Sequence, residues 1–319
     1  LNAGDGGFAP DPQDEIGDVN VDHGMIRFSG NGADRQRRIL RQNFFMNSSK
    51  PQLSQVSLVC VETRRTQLAR YALERCMAAA SFKECLLLCT SRQALPADIE
   101  QVLIPPFSDM EGYSSFMLKD LGAYFSGDFV LVVQWDGFIL NADCWDDEFL
   151  QYDYIGAPWP HRPVAVGNGG FSLRSRRLIE ALKKIDIQQV HPEDYVICEL
   201  HREQLIKEHG IKFAPIELAS KFAFEFIPPS GPTFGFHGFA NFHAVFKDPQ
   251  LAEYLAQCEP AMLQNRAARN LFKNLCRTGR QATAQQLFKK NIRKTARGIY
   301  DALGFYCWMK WRQLSGRFD

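Results

Sequence analysis

The chain has 319 residues, 45% hydrophobic and 12% aromatic, which is enough for a sizeable core and excludes a wholly disordered protein. No stretch reaches about 18 uninterrupted apolar residues, so no membrane-spanning helix is expected. The net charge of +1 conceals an asymmetry: residues 260–319 carry 13 Lys/Arg against Asp301 and Asp319, a net of +11, and residues 1–259 carry the opposing −10.

The nine cysteines are scattered without a CxxC pair. They read as reduced, mostly buried thiols rather than a zinc ribbon. A start at Leu1 without a signal-type apolar stretch is read as part of a longer polypeptide.

Residues 1–52 are expected to be a leader, partly disordered or the end of a preceding domain. The first 22 residues hold six acids and no Lys or Arg. The basic stretch Asp34–Phe45 has the composition of a short helix. From Leu53, SQVSLVCVE predicts a buried strand, TQLARYALERCMAAA a helix and ECLLLCT a second strand. That β-α-β unit marks a parallel sheet in an α/β fold.

YSSFMLKDLGAYF predicts a further helix, and DFVLVVQWDGFIL a strand broken by Gln134-Trp135-Asp136. VGNGGFSLRS is a Gly-rich stretch leading into the helix RSRRLIEALKKI. HPEDYVICELHREQLIKEHG reads as one helix, with Pro192 and two acids at its start and Gly210 at its end. IKFAPIELASKFAFE suggests a strand and a turn, and PTFGFHGFANFHAVF an aromatic loop. Beyond residue 247 a basic helical tail is expected to the end, with one helical hairpin in NLFKNLCRTGRQATAQQLFKK.

Five groups could carry chemistry. Asp136 ends a buried strand, at the sheet edge where open α/β sheets bind ligands, and a carboxylate there suits a hard divalent cation; the alternative is a turn aspartate in Asp-Gly. His237, among aromatics, is either a metal ligand or a hydrogen-bonded structural residue. Glu193-Asp194 at a helix start are either capping acids or a general base. Gly167-Asn168-Gly169-Gly170 permits close backbone approach by a ligand, or forms a tight turn. Trp135 and Trp159 could stack on sugars or fill the core.

Together, QWDGFILNADCWDDEFLQYDYIGAPWP, VGNGGFSLRS, HPEDYVICEL and FGFHGF resemble a bacterial family of unknown function with the character of GT-A-type glycosyltransferases. The resemblance runs from about Gln55 to Phe246. It implies a GT-A-like domain over residues 53–246, with a mostly parallel sheet flanked by helices, followed by the tail at 247–319.

It also implies roles. Asp136 and His237 would hold Mn²⁺ or Mg²⁺. Gln134 stands where a DxD motif has its first aspartate, which puts tight metal dependence in doubt. Glu62, Thr63 and Arg64, with Gln134, Trp135, Asp136, Gly169 and Gly170, would bind the nucleotide sugar. Trp159 and Asn168 would meet the acceptor, and Asp194, with Glu193 beside it, would be the base.

The expected reaction moves a hexose from a nucleotide sugar, UDP-linked by preference, to a hydroxyl of a glycan or lipid-linked glycan, with inversion. The setting would be cell-surface polysaccharide synthesis on the cytoplasmic face of the membrane. The tail, with apolar residues at Leu287/Phe288, Ile292, Ala296, Ile299/Tyr300 and Leu303 and lysines and arginines around them, would meet an anionic membrane surface. No nucleic acid is expected as a partner. The alternatives are a degenerate GT-A-like binding module, favoured by the missing aspartate, and a nucleotidyltransferase.

Overall fold

Strand β1 (Gln52–Val61) is an interior strand of the main sheet, and its last six residues are all buried. Burial on both faces is what a β-branched run does inside a helix-covered parallel sheet. The computed structural model describes residues 50–291 and the helical positions 303, 304, 306, 307, 310, 311 and 314. Residues 1–49, including the helix expected over Asp34–Phe45, lie outside the described residues.

From β1 the chain enters α1 (Thr66–Ala79), which buries Leu68, Ala69, Ala72, Leu73 and Cys76, and returns in β2 (Ser81–Cys89) parallel to β1. Strand β3 (Glu100–Leu103) adds outside β2. Helix α2 (Met110–Ser115) starts on the Asp109 cap and widens into a π-turn over Phe116–Asp120. Then β4 (Phe129–Val133) pairs parallel with the other side of β1. Strands β6 (Tyr154–Ile155) and β7 (Phe171–Ser175) complete a sheet of order β3-β2-β1-β4-β7-β6, in which only β7 runs against the rest. The mixed α/β class, with a mostly parallel sheet flanked by helices, is therefore present.

Because β2 and β4 lie on opposite sides of β1, the strand order reverses between β1 and β4. Ligands of open α/β sheets bind outside the carboxyl ends of strands at such a point. Glu62–Arg65 follow β1 there, and Gln134–Asp136 follow β4.

Helix α3 (Arg176–Lys184) follows β7 directly, capped by Ser175 Oγ, which accepts from Leu178 N–H at 3.0 Å. The helix expected over residues 192–210 is three pieces: α4 (Glu193–Tyr195), a π-turn (Val196–Leu200) and α5 (Arg202–His209), closed by Gly210 at φ +65°. Of the strand and turn expected in IKFAPIELASKFAFE, strand structure is confined to a parallel bridge from Phe213 to Tyr154 and to Ala223–Phe224, and the middle of the run is helix α6 (Ile216–Phe222), with Leu218, Ala219 and Phe222 buried on one face. Pro215, at its N-cap, lacks an N–H that a strand would need, and the apolar spacing is helical.

A second, three-stranded sheet is made of very short strands, β5 (Phe138–Ile139), β8 (Ala223–Phe224) and β9 (Gly235–Phe236), in the order β5-β9-β8. Their rings pack together, with Phe138 and Phe236 edge-on at 4.8 Å. The turn α7 (Phe242–Val245) leads to α8 (Asp248–Gln257), α9 (Arg266–Arg277) and α10 (Gln281–Asn291). α9 and α10 form the expected hairpin across Gly279, at φ +73°.

Leu251, Tyr254, Leu271 and Leu287 belong to the same hydrophobic core as β1 and α1. Of the tail's apolar stripe, Leu287 is buried, Phe288 packs on Phe272, and Leu303 is exposed; Ile292, Ala296, Ile299 and Tyr300 lie outside the described residues. Tyr306 and Trp311 are exposed. No helix of the described residues is long and apolar enough to cross a membrane. Seven cysteines are buried among the described residues, and burial pushes the Cys76 thiol up to about 12.

Candidate functional site

Two clefts meet at the carboxyl edge of the sheet. The outer, of about 480 Å³, is lined by Glu62, Thr63, Arg64, Arg65, Tyr113 and Trp135. The inner, of about 280 Å³, is lined by Trp159, Asn168, Gly169, Gly170, Glu193, Asp194, Glu225 and His237. Gln134 and Met110 line both and form the boundary between them.

Strand registers bring these residues together. Val133 of β4 pairs with Phe171 of β7, so Gln134 lies opposite Gly170 and its N–H donates to the Gly170 carbonyl at 2.8 Å. In the small sheet Phe138 and Phe224 both pair with Phe236. The residues flanking those pairs, Asp136, Glu225 and His237, therefore converge although 101 positions separate Asp136 from His237. Gly238 N–H donates to the Asp136 carbonyl at 3.0 Å, which extends the β5–β9 register.

At this junction Asp136 is buried, and its Oδ2 accepts from Phe239 N–H at 3.0 Å. Its Oδ1 has no hydrogen-bond partner and faces His237 Nε2 at 3.4 Å. Gln134 Oε1 lies 3.2 Å from the same nitrogen, and Gln134 Nε2 donates to the Tyr113 hydroxyl at 3.1 Å. Glu225 Oε1 takes the other side of the ring, 3.1 Å from Nδ1. Burial works against a charged His237, but the Asp136 and Glu225 carboxylates outweigh it and hold the imidazolium pKa well above the usual value.

The donor set fits a hard divalent cation. An orphaned carboxylate oxygen and an amide oxygen face His237 Nε2, which becomes a ligand once a cation displaces its proton, and a carboxylate on the far ring nitrogen is the usual support of a metal-bound histidine. Among the described residues no group of three or more His, Cys, Asp or Glu is arranged to hold a metal alone. Two protein ligands are nevertheless what Mg²⁺-type ions commonly use when substrate phosphates supply the rest.

The glycines of the inner cleft are required by contact. A Cβ on Gly170 would sit 2.1 Å from His237 Nε2, one on Gly169 2.1 Å from Glu193 Oε1, and one on Gly167 2.2 Å from the Trp159 ring. Asn168 takes the left-handed conformation at φ +68°. Its Oδ1 accepts from Gly170 and Phe171 N–H at 3.0 and 3.3 Å, and its Nδ2 donates to Glu225.

The two acids of α4 differ. Glu193 is buried against the fully buried Arg174, whose Nη2 lies 3.2 Å from Glu193 Oε1. Burial and then the Asp194 charge raise the Glu193 pKa, with Arg174 pulling it back. Asp194 is half-buried; its Oδ2 accepts from Gly169 N–H at 3.1 Å and its Oδ1 from Tyr195 N–H at 2.8 Å. Asp194 therefore has a fixed carboxylate with access to the cleft, and Glu193 holds the floor beneath it.

The two residues expected at the acceptor, Asn168 and Trp159, both line the inner cleft and are both buried. Asn168 is 2% exposed, and its side chain braces Glu225 and Gly170. Trp159 is buried against the Gly167 backbone and forms a wall of the cleft. Glu62 lines the outer cleft but turns its Oε1 to Arg64 and Arg65 N–H at 2.8 and 3.0 Å, shaping the loop.

Sequence reasoning missed Glu225, Arg174, Tyr113 and Arg65 as parts of the site. Arg65 stacks over Trp135 at 5.7 Å with its Nε buried and unpartnered. The adjacent Thr63-Arg64-Arg65 run was the available signal.

A profile of the family described as Protein of unknown function (DUF5672) matches residues 97–237. That span contains Gln134–Asp136, Asn168–Gly170, Glu193-Asp194, Glu225 and His237 but not Glu62–Arg65. No curated protein sequence matches this chain. Among solved structures, the apo-form glycosyltransferase GlyE of Streptococcus pneumoniae TIGR4 aligns with a TM-score of 0.36 at 12% identity, over 57% of this chain and 54% of that one. This chain thus spans about half that protein's length. The mannosyltransferase PcManGT of Pyrobaculum calidifontis, solved with GDP-Man and Mn²⁺, aligns with a TM-score of 0.35 at 10% identity, over 90% of this chain and 91% of that one.

Proposed function

We propose that the chain is a glycosyltransferase that moves a hexose from a nucleotide sugar to a glycan hydroxyl with inversion. The observation that carries this reading is the pairing of a fixed, accessible carboxylate, Asp194, with an acid–imidazole junction, Asp136 and His237, at the strand-order reversal. The outer cleft takes the nucleotide, with Arg65 and Trp135 as a cationic and an aromatic wall. The diphosphate lies at the Gln134 boundary, and the sugar enters the inner cleft over Gly169 and Gly170.

Asp194 accepts the proton of the attacking acceptor hydroxyl while the bond from the anomeric carbon to the diphosphate breaks. Gly169 and Tyr195 N–H orient that carboxylate. Asp136 and His237 would hold Mn²⁺ or Mg²⁺, which supplies stabilisation of the charge developing on the leaving diphosphate. Glu225 fixes the His237 ring.

The direct experiment incubates the full chain with a panel of nucleotide sugars, UDP-linked first, with Mn²⁺, Mg²⁺ or chelator, and measures released nucleoside diphosphate. Release from one donor, lost in Asp194→Asn, is the expected result. Tight nucleotide-sugar binding with no release from any donor would favour the non-catalytic module, a reading that the Gln134 amide at an expected acid position supports.

A further inference from the structure

Resting on the transferase reading, we infer that Phe226 is the platform on which the acceptor's sugar ring stacks at the mouth of the inner cleft. Every other phenylalanine among the described residues is buried or half-buried, whereas Phe226 is 48% exposed. Its side chain lines the inner cleft together with Asp194 and Gln134. The ring is held in a set orientation, because His161 meets it edge-on at 4.7 Å and 80°. It also follows Glu225 directly, so the residue that orients His237 and the exposed ring share one stretch of backbone anchored by β8.

The chemistry favours a pyranose over a lipid tail or a purely apolar partner. An exposed aromatic face attracts the C–H face of a sugar, and the polar groups beside it bond the hydroxyls at the ring's edge. Here the Asp194 carboxylate, which lines the same cleft, is such a group. The rim also carries Arg162, next to His161, stacked over Tyr195 at 4.8 Å and 3.8 Å from Glu199. Such a rim is charged and hydrogen-bonding. A sugar resting on Phe226 would bring a hydroxyl toward Asp194.

The test uses the full chain and methyl α- and β-hexopyranosides of the gluco, galacto and manno series as probes, read by saturation-transfer NMR. Wild type should transfer saturation to the axial C–H protons of at least one probe. Phe226→Ala should bind that probe roughly five- to tenfold more weakly, the scale of a lost aromatic stacking contact, and Phe226→Tyr should restore binding. In the wild type, ring resonances of ¹³C-labelled Phe226 should shift on titration, a readout that needs no alanine variant.

Equal binding by wild type and Phe226→Ala would overturn the platform. So would the absence of probe binding by wild type, or a Phe226→Ala defect confined to anionic vesicle binding. The transferase reading fails separately: probe stacking on Phe226 without donor turnover would leave the platform standing and remove the transferase, while turnover with no pyranoside binding would do the reverse.

Discussion

The outer and inner clefts share a wall but are built on different plans. The outer cleft is a mouth of long side chains on loops. Arg64 is exposed, Arg65 leans on Trp135, and Glu62 serves the turn that carries them. The inner cleft is an interlocked solid. Glycines lie against His237 and Glu193 with no room for a methyl, Asn168 braces Glu225, and a buried arginine neutralises a buried glutamate. A cleft of the first kind can adapt to a ligand. One of the second kind holds groups at fixed positions, which is what positioned acid–base chemistry needs.

The sharpest way to break this comparison is Asp194→Asn, which keeps shape and removes the base. Nucleoside diphosphate release with acceptor should fall about 10²- to 10⁴-fold, with nucleotide affinity by calorimetry unchanged. A rate within a factor of about three would move the chemistry out of the inner cleft.

Next comes its floor. Arg174→Met strands Glu193 as a buried, uncompensated acid, a change that typically costs about 3–5 kcal/mol in stability. Denaturant midpoints should drop accordingly and recover in part when Glu193→Gln is added. A variant as stable as wild type would show that the pair does not brace the cleft.

A smaller effect is expected at Asp153, which ties the far end of β7 to α3. Burial opposes its ionisation, but Arg177, Ser175 Oγ and Lys212 N–H outweigh that and hold its pKa below the usual range. An acid with a depressed folded pKa contributes stability that is present above its unfolded value of about 3.9 and lost as pH falls through the folded one. Asp153→Asn should therefore be less stable than wild type at pH 7, and the gap should close below about pH 4. A gap that persists at low pH would assign the loss to packing.

The smallest effect belongs to the outer cleft. Arg65→Ala should weaken nucleoside diphosphate binding about tenfold, the lower edge of one charged hydrogen bond, and leave thermal stability unchanged. A loss of stability instead would make the outer cleft as interlocked as the inner one.

The difference between the clefts also governed how much could be read beforehand. The β1–α1–β2 unit was legible because long apolar runs report their own period. Asp136, Gly169-Gly170, Glu193-Asp194 and His237 were legible because each sits in a distinctive local motif. Glu225 was not, because its partner His237 lies 12 residues on, joined through strands of two residues that are too short to show alternation. Strand β7 was hidden behind the glycines that precede it, and with it Arg174, whose burial depends on an acid 19 residues away. The two roles in the Glu193-Asp194 pair could be separated only once Arg174 was in place.

The C-terminal helices bear on how the protein can be shortened. Tyr254 of α8 donates its hydroxyl to the Trp135 carbonyl at 2.8 Å and packs edge-on against Tyr71 and Phe242. A chain cut before Asp248 would wet that aromatic wall and deprive the strand-end loop of a donor. Any truncation meant to isolate the basic end is better made after Asn291, because Leu271 and Leu287 belong to the same core as β1.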